Sequence, residues 1–512
     1  MNPNPSEPRP AAEARPLEEI LAAKKAKVAE LRARGLDPYP PRAARTHMCG
    51  QAAELAQKLE PGSGSTEAVT CAARVTGKRG QGKLIFMDLQ DQTGRIQAYI
   101  KSDALPAETF DLVKKDVHAG DFLAVSGTLM RTMRGEPSVA ATSITMLAKA
   151  LRPMPEKWHG LKDVELRYRH RHLDLMSSEE VRKKFEQRSL IVSTIRRTMD
   201  AQGFMEVETP ILLSQAGGAS ARPFMTHHNA LGADLVMRIA TELYLKRLII
   251  GGFDKVYEIG RIFRNEGLDT RHNPEFTMME AYQAYSDYNG MAELFERVVG
   301  ECCQALKIEK VSYGDKEISL KPPFRRAYLP ELWQEHCRAK IDDILEGKGF
   351  NRPALLALAH SLDVPAGEKT PGAKVFERIF DDRILPHLDQ LTFVFDHPTA
   401  ITPLAKLKPG TQGLVERFEC FAGGQEYANA YTELNDPQDQ RERLFEQARQ
   451  RREEGDEEAD VLDEDFVEAM ECGMPPMGGI GVGIDRLVML LTGQPSIRDV
   501  ILFPTLKPES HP

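Results

Sequence analysis

The segment with the most side chains capable of chemistry is FRNEGLDTRHNPEFTMMEAY, which lies between two apolar, strand-like runs. Strand alternation after Pro274 predicts that one face carries Phe276, Met278, Glu280 and Tyr282. The preceding strand ends at Arg264, and the connection adds Glu266, Arg271, His272 and Asn273. A guanidinium fork, an aromatic face and loop donors suit a nucleoside triphosphate, although an exposed hairpin held by salt bridges would carry similar residues.

A second hairpin is predicted in FECFAGGQEYANAYTEL. Gly423 and Gly424 suit a two-residue turn that pairs Phe421 with Glu426. Glu419 shares a face with Phe421, so Glu419 and Glu426 become diagonal neighbours on adjacent strands. Two such carboxylates repel unless a cation lies between them, and phosphate-bound Mg²⁺ is the expected cation; a solvated acidic hairpin is the alternative.

Three later residues of this hairpin create a conflict. Strict alternation turns Asn429, Tyr431 and Glu433 to the face opposite Glu426. A pocket that contains all of them therefore requires a β-bulge near Ala428, because one extra residue restores the phase.

Two glycine-rich segments fail the requirements of phosphate-binding motifs. GKRGQGKL has Leu84 where a P-loop needs Ser or Thr, and a strand follows, so a basic hairpin turn is predicted. The nearby Phe86 suits either core packing or stacking on a base. GGIGVGIDRL lacks the GxGxxG spacing, and its glycines would let a ligand or a helix approach a strand closely. For Arg486 in this segment, the sequence leaves two expectations open: that it binds a phosphate, or that it pairs with Asp485.

The first part of the chain predicts a small barrel. Residues 1–16 predict a disordered tail, and residues 17–34 predict a basic amphipathic helix. Five strand-like runs follow by residue 149, with one helix between the third and the fourth, which is the order of an OB-fold. Residues 150–172 are rich in proline and arginine and predict a linker.

Residues 173–512 predict a mainly antiparallel sheet flanked by helices, because the strands outlast any βαβ alternation. The expected elements are a helix from Glu179 to Ala201, the strand FMEVETP, a helix at TELYLKRLII, a helical insertion at about 325–390, strands near 392–396 and 415–435, and a helix capped by Asn435 or Asp436. The predicted fold class is α+β, with a barrel before the sheet.

Charge and cysteine content limit the functional classes. Residues 1–172 carry 27 Lys and Arg against 20 Asp and Glu, a net +7, whereas the remainder carries 40 against 56, a net −16. This asymmetry is compatible with a polyanion-binding module joined to a domain for a cationic ligand. The seven cysteines form no disulfide or zinc pattern, which fits a reducing cytosol, and no export signal or membrane span is predicted.

Three segments, GFMEVETPIL, FRNE through EFTMMEAY, and GIGVGIDRL, resemble motifs 1, 2 and 3 of the class II aminoacyl-tRNA synthetases. GGASARPF, RIATELYLKRL, GGQEYANAYTELND and IRDVILFP make the chain similar to the bacterial-type lysyl-tRNA synthetases over about residues 17–506. The resemblance implies a cytoplasmic homodimer with an interface built by motif 1 up to Pro210. It also implies an OB-fold that reads a uridine-rich anticodon, and a class II catalytic domain. The implied reaction activates L-lysine with ATP and Mg²⁺, releases pyrophosphate and transfers lysine to the 3′-terminal ribose of tRNA(Lys).

The resemblance also implies residue roles by motif position. Arg264 and Arg486 would be catalytic, and both would contact ATP with Glu266, His272, Asn273, Phe276 and Glu419. Lysine would be bound by Gly218, Glu242, Arg264, Glu280, Tyr282, Asn429, Tyr431 and Glu433. Mg²⁺ would be held by Glu419 and Glu426, and the anticodon would be contacted by Arg79, Phe86, Gln97 and Glu136. No role is implied for Asp269 and Arg271, which are interpreted as solvated.

Three alternatives differ in what they require. Aspartyl and asparaginyl synthetases share the barrel-first layout, but carboxylates at Glu280 and Glu433 would repel aspartate. A paralogue that attaches lysine to a translation factor would lack the N-terminal module. A non-catalytic RNA-binding protein could lose the ATP residues, of which Arg264, Phe276 and Arg486 are present.

Overall fold

The computed structural model describes residues 17–80, 82–154, 163–219, 221–314, 316–453 and 463–508. The chain divides into two compact units at Leu161 and Lys162. This division falls inside the segment predicted as a linker, of which residues 155–162 lie outside the described residues. The predicted tail and residues 454–462 of the acidic segment also lie outside them. Within the described residues, no helix is both long and apolar enough to cross a membrane.

The first unit is a closed five-stranded barrel. Its elements are α1 Leu17–Ala33, α2 Cys49–Gln57, β1 Gly64–Arg79, β2 Leu84–Gln90, β3 Arg95–Lys101, α3 Ala107–Lys115, β4 Phe122–Arg131 and β5 Pro137–Ala148. The strand order in the barrel is β1-β2-β3-β5-β4. Alternate apolar residues of β1, such as Cys71, Ala73 and Val75, fill the barrel core. The predicted strand order, with one helix between the third and fourth strands, is confirmed.

Basic residues of α1, and Arg34 directly after it, form contacts within this unit. Leu31 of α1 is fully buried in the barrel core. Lys27 and Arg34 each lie 2.7 Å from a carboxylate oxygen of the buried Asp116, and Lys24 donates to the carbonyl of Ala150. These contacts fix the helix against the strands that it precedes.

The second unit contains twelve helices among its described residues: α4 Val164–Arg169, α5 Arg171–Ser177, α6 Glu179–Ala201, α7 Glu242–Ile250, α8 Tyr288–Leu306, α9 Leu329–Cys337, α10 Arg352–Ser361, α11 Gly372–Arg383, α12 Pro437–Glu453, α13 Glu464–Glu471, α14 Ile484–Thr492 and α15 Ile497–Val500. Single 3₁₀ turns occur at Ile341–Ile344, Leu385–His387 and Thr399–Ile401. Asp436 caps α12 by accepting from the N–H groups of Gln438 and Asp439, which selects between the two caps that the sequence left open.

The strands of this unit are β6 Met205–Glu206, β7 Leu212–Leu213, β8 Met225–His228, β9 Ala233–Met237, β10 Lys255–Phe263, β11 Glu275–Ala284, β12 Lys310–Tyr313, β13 Lys316–Ser319, β14 Arg325–Tyr328, β15 Leu345–Glu346, β16 Gly349–Phe350, β17 Thr392–Pro398, β18 Leu414–Ala422, β19 Gln425–Thr432 and β20 Met477–Gly483. Eight of them form one sheet in the order β14-β17-β18-β19-β20-β11-β10-β6. All its pairs are antiparallel except β14 with β17 and β10 with β6, so the mainly antiparallel sheet is confirmed.

The two faces of this sheet differ in chemistry. Residues such as Met279, Ala281, Ile480 and Ala430 face a large apolar core that also includes α6, α8 and α14. The other face carries the polar residues between them, with α7 and α13 beside it. Period-two alternation therefore places the polar side chains together on the side away from the main core.

Two segments are less regular than predicted. Of the strand FMEVETP, only Met205 and Glu206 pair with β10. Residues 325–390 contain α9, α10 and α11, as expected of a helical insertion, but also β14 and the small hairpin of β15 and β16. This segment has its own apolar core, in which the rings of Trp333 and Phe376 stack at 4.9 Å.

Candidate active site

The hairpin of β10 and β11 forms one wall of a cavity. The two strands pair from Lys255 with Gln283 to Phe263 with Glu275. Phe276, Met278, Glu280 and Tyr282 line the cavity, whereas Met279 and Ala281 lie in the core behind them. The predicted alternation of this strand is confirmed.

The hairpin of β18 and β19 forms the facing wall, and it contains the required bulge. Gly423 and Gly424 make the turn with φ values of 55° and 76°, a left-handed conformation that glycine adopts without strain. Phe421 pairs with Glu426 as predicted, but Cys420 pairs with Ala428. The extra residue is Tyr427, which points into the core.

This bulge resolves the conflict in the sequence pattern. Because Tyr427 is inserted, Asn429 and Tyr431 turn to the same face as Glu426, and all three line the cavity. Glu433, two residues after Tyr431, is buried and does not reach the cavity lining. It lies behind Gly479 of β20, where an added Cβ would be 2.0 Å from its Oε1.

The cavity has a volume of about 520 Å³, within the range of small-molecule sites. With the exception of Glu433, all the residues proposed from the sequence for the second unit line it: Gly218, Glu242, Arg264, Glu266, His272, Asn273, Phe276, Glu280, Tyr282, Glu419, Glu426, Asn429, Tyr431 and Arg486. Residues from five separate stretches of the sequence therefore share one site.

One end of the cavity is rich in carboxylates and phenols. Glu280 accepts from the Thr241 N–H at 3.1 Å and from the Tyr282 hydroxyl at 3.2 Å. The Tyr431 hydroxyl donates to Glu242 Oε1 at 2.7 Å. Burial and the nearby Glu242 raise the pKa of Glu280 to about 7. A cationic group that entered this end would lower that pKa and bind favourably.

A buried lysine completes this end. Lys246 of α7, with no exposed side-chain surface, donates to Glu242 Oε1 and forms an ion pair with Glu433 Oε2. Burial lowers the pKa of Lys246, but the two carboxylates more than reverse this effect and hold it above its usual value. Sequence reasoning missed Lys246, although its i,i+4 spacing from Glu242 on a helix was a signal.

The opposite end carries cations and an aromatic ring. The Arg264 guanidinium lies 5.3 Å from the centre of the Phe276 ring, and desolvation lowers the pKa of Arg264. Arg486 donates to the Glu426 backbone carbonyl at 3.1 Å and lies 3.3 Å from its Oε2. Asp485 pairs instead with Arg188, so Arg486 remains directed at the cavity.

The connection between β10 and β11 is more ordered than predicted. Asp269 accepts from the N–H groups of Arg271 and His272 and lies 2.8 Å from His272 Nδ1. Arg271 lines the cavity and donates to the Gly424 carbonyl. The interpretation of Asp269 and Arg271 as merely solvated is therefore incomplete, because both are exposed yet hold the loop in place. Asn273 uses its side chain for backbone contacts with Glu275 and Thr505.

Glu419 and Glu426 have the chemistry of a partial magnesium site. Both line the cavity, and burial together with the Glu419 carboxylate raises the pKa of Glu426. Glu419 is balanced by Arg417, whose Nη2 lies 2.5 Å from Oε1. Sequence reasoning also missed Arg417, which alternation places beside Glu419. No cluster of three or more metal-binding side chains occurs in the described part of the chain, so phosphate oxygens or water would have to complete the coordination.

The four residues proposed for the barrel differ in exposure: Arg79 and Glu136 are exposed, Phe86 is partly exposed and Gln97 is buried. Phe86 is absent from the barrel core; its ring contacts Tyr99 at 5.4 Å, and the Arg79 guanidinium lies 5.8 Å from it. The Phe86 alternative of core packing is therefore wrong. Gln97 bonds to Ser138 on the neighbouring strand, and Glu136 lies exposed between β4 and β5.

Comparison with known proteins accounts for both units. Residues 163–507 match the family "tRNA synthetases class II (D, K and N)", and residues 69–147 match "OB-fold nucleic acid binding domain". The lysine–tRNA ligase of Halalkalibacterium halodurans is 47% identical over 97% of this chain and 98% of its own length. Those of a Synechococcus species and Roseiflexus castenholzii are 52% and 48% identical, over 87% and 96% of this chain and 88% and 99% of theirs. The chain belongs to the class II tRNA synthetases and, within them, to the family of the bacterial lysine–tRNA ligases.

Proposed function

We propose that this protein activates L-lysine with ATP to form lysyl-adenylate and then transfers the lysyl group to the 3′-terminal ribose of tRNA(Lys). The observation that carries the proposal is a single cavity with guanidinium groups at one end and buried carboxylates at the other. β11 runs through both ends and orders them, from Phe276 to Tyr282. Such a cavity suits a ligand pair with anionic phosphates and a cationic amino acid.

In this proposal the arginines and Phe276 position ATP and the lysine carboxylate. Phe276 offers its face to adenine, Arg264 bridges the lysine carboxylate and the α-phosphate, and Arg486 neutralises phosphate charge with His272 nearby. The carboxylate attacks the α-phosphorus in line, and pyrophosphate leaves. No general base is required because the nucleophile is already ionised, so orientation and charge neutralisation supply the catalysis.

Mg²⁺ fits this arrangement, since Glu419 and Glu426 are two carboxylates whose repulsion a cation would relieve. When bound, it would neutralise charge on the phosphates. Glu266, Asn273 and Asn429 complete the set proposed to hold ATP and the lysine carboxylate. Glu242, Gly218 and Tyr431 are proposed beside the α-ammonium group, and Glu280, Tyr282 and Glu433 at the side-chain ammonium group.

The same geometry argues against the alternatives. An aspartate side chain would meet the carboxylates of Glu242 and Glu280, with that of Glu433 buried behind them, and asparagine would leave their charge uncompensated. The complete barrel argues against a paralogue that modifies a translation factor, and Arg264, Phe276 and Arg486 around the cavity argue against a non-catalytic RNA-binding protein.

Lysine-dependent exchange of pyrophosphate into ATP tests the proposal. Glu433→Gln should weaken lysine binding by about 3–5 kcal/mol, because an ammonium group would lose a buried partner, with little change in the KM for ATP. Glu317→Gln, at an exposed ion pair with Lys310, is the control, and EDTA gives the metal-free blank. Exchange that depends only on another amino acid, or equal losses for lysine and ATP, would overturn the proposal.

Lysine binding should also depend on pH through Glu280. Its pKa of about 7 in the unliganded site means that the carboxylate is neutral below this pH and ionised above it. Binding of an ammonium group below pH 7 must therefore release a proton, so the KM for lysine should rise as the pH falls from 8 to 6, approaching about tenfold per unit. Saturating ATP isolates this effect. Glu280→Gln should show a weaker and flatter profile; a flat profile in the unmodified enzyme would contradict the assignment.

We propose that residues 17–149 bind the tRNA anticodon through Arg79, Phe86, Gln97 and Glu136. The partly exposed position of the Phe86 ring, outside the barrel core, supports this, because an accessible aromatic face can stack on a base. We further propose that residues 150–172 act as a linker and that residues 173–512 form the catalytic domain with its insertion at 325–390.

Phe86→Ala should separate tRNA binding from activation. Loss of one stacked base should lower kcat/KM for tRNA by about 1–3 kcal/mol in the aminoacylation assay, while pyrophosphate exchange stays unchanged. Leu36→Ala removes an exposed apolar side chain elsewhere in the same unit and should change neither assay. An equal loss of exchange in Phe86→Ala would contradict a role confined to the anticodon.

A cytoplasmic homodimer is the proposed assembly. Leu190, Met205, Ile211 and Leu212 are exposed apolar side chains along α6 and the strands that follow it, in the region that resembles motif 1. Such a patch favours an interface. Sedimentation velocity should give twice the mass of the chain, and Leu212→Lys should shift the protein toward monomer; a monomeric unmodified chain would refute this part of the proposal.

A further inference from the structure

A fixed positive charge is built into the carboxylate end of the cavity. The Lys246 ammonium group contacts Glu242 and Glu433 and lies 5.5–5.9 Å from the ring centres of Tyr282, Tyr431 and Phe466. No side-chain surface of Lys246 is exposed. Among the ion pairs of the described residues, Lys246 supplies the only cation bonded to the cluster of Glu242, Glu280 and Glu433.

Lys246 contacts only one oxygen of each of two carboxylates. It bonds to Oε1 of Glu242, which also accepts from Tyr431, and it pairs with Oε2 of Glu433. Oε1 of Glu433 is fully buried and has no hydrogen-bond donor, which is costly unless a ligand supplies one. Gly479 makes room for this atom, since an added Cβ there would lie 2.0 Å from it.

The formal charges of Glu242, Glu280, Glu433 and Lys246 can be summed. Three carboxylates and one ammonium group leave two negative charges when all are ionised. A dibasic amino acid brings two ammonium groups, one at Cα and one at the end of its side chain, and neutralises the cluster. A neutral side chain would leave one buried negative charge without a partner.

We propose that Lys246 is a positioning residue that sets this charge: it occupies one oxygen each of Glu242 and Glu433 and thereby reserves two negative charges for the two ammonium groups of the substrate. The inference rests on the proposed function, because it assigns these carboxylates to bound lysine. Lys246 itself does not touch the substrate. It acts by holding Glu242 and Glu433 in place and by compensating one negative charge of the cluster.

Three variants distinguish charge from packing. Lys246→Arg keeps the charge but enlarges the side chain; Lys246→Met keeps the approximate size but removes the charge; Lys246→Gln removes the charge and keeps hydrogen-bond donors for the two carboxylates. Two neutral variants are included so that, if circular dichroism shows that one is misfolded, the other still tests the effect of removing the charge. Lys408→Gln, which breaks an ion pair with the buried Asp396 away from the cavity, is the matched control.

Pyrophosphate exchange gives the readout. The KM for lysine should rise at least about tenfold in Lys246→Gln and Lys246→Met, because close charges in a buried site are strongly coupled. It should stay within about threefold of the unmodified value in Lys246→Arg and Lys408→Gln, which keep the cluster's charge. The KM for ATP should change less than about twofold throughout, since uniform loss would indicate general damage.

The opposite order would overturn the inference. If Lys246→Met and Lys246→Gln retain the KM for lysine while Lys246→Arg loses it, Lys246 serves packing alone. If all three variants lose lysine and ATP binding together, its role is general stability. The unmodified enzyme separates this test from the proposed function: if it shows no lysine-dependent exchange, the proposed function fails, whereas normal exchange with the wrong order among variants rejects only the role of Lys246.

Discussion

The alternation of side chains across one antiparallel sheet is the constraint on which the rest of this structure depends. On β11 and β20 every second residue enters an apolar core, and the residues between them face the cavity. A shift of one residue would move the polar set into that core. The bulge at Tyr427 belongs to the same constraint, because it is the single interruption that brings Glu426 into phase with Asn429 and Tyr431.

Burial gives the polar face its chemical strength. Glu433 and Lys246 have no exposed side-chain surface, so their charges interact through protein instead of water. Such an ion pair contributes little net stability, since desolvation offsets most of the attraction. Its effect is on specificity: a carboxylate that is already desolvated binds an ammonium group without a further loss of its own hydration.

Much of the fold and the site follows from sequence, for identifiable physical reasons. Phe276, Met278, Glu280 and Tyr282 were predictable because strand alternation is strict, and the turn at Gly423 and Gly424 because few residues adopt its backbone angles. The bulge was predictable near Ala428 because the polar residues on either side must share one face, and it lies at the adjacent Tyr427. The spacing of Lys246 from Glu242 was a signal for their ion pair, but its contact with Glu433 joins segments that are distant in the sequence, which spacing does not encode. The contacts of Asp269 depend on the conformation of an irregular loop, which has no periodic pattern. The sequence also did not indicate that only two residues of FMEVETP, Met205 and Glu206, would pair with β10.

The position of Glu433 behind Gly479 also implies that dissolved salt affects the two proposed binding events, of lysine and of tRNA, differently. Mobile ions screen charges that water can reach, with a Debye length of about 8 Å at physiological ionic strength, but they cannot enter a packed interior. Glu433 and Lys246 lie beyond that screening, whereas Arg79 is half exposed on the barrel surface. The affinity of the barrel for a polyanion should therefore depend on ionic strength. Discrimination among amino acids at Glu433 should depend on it much less.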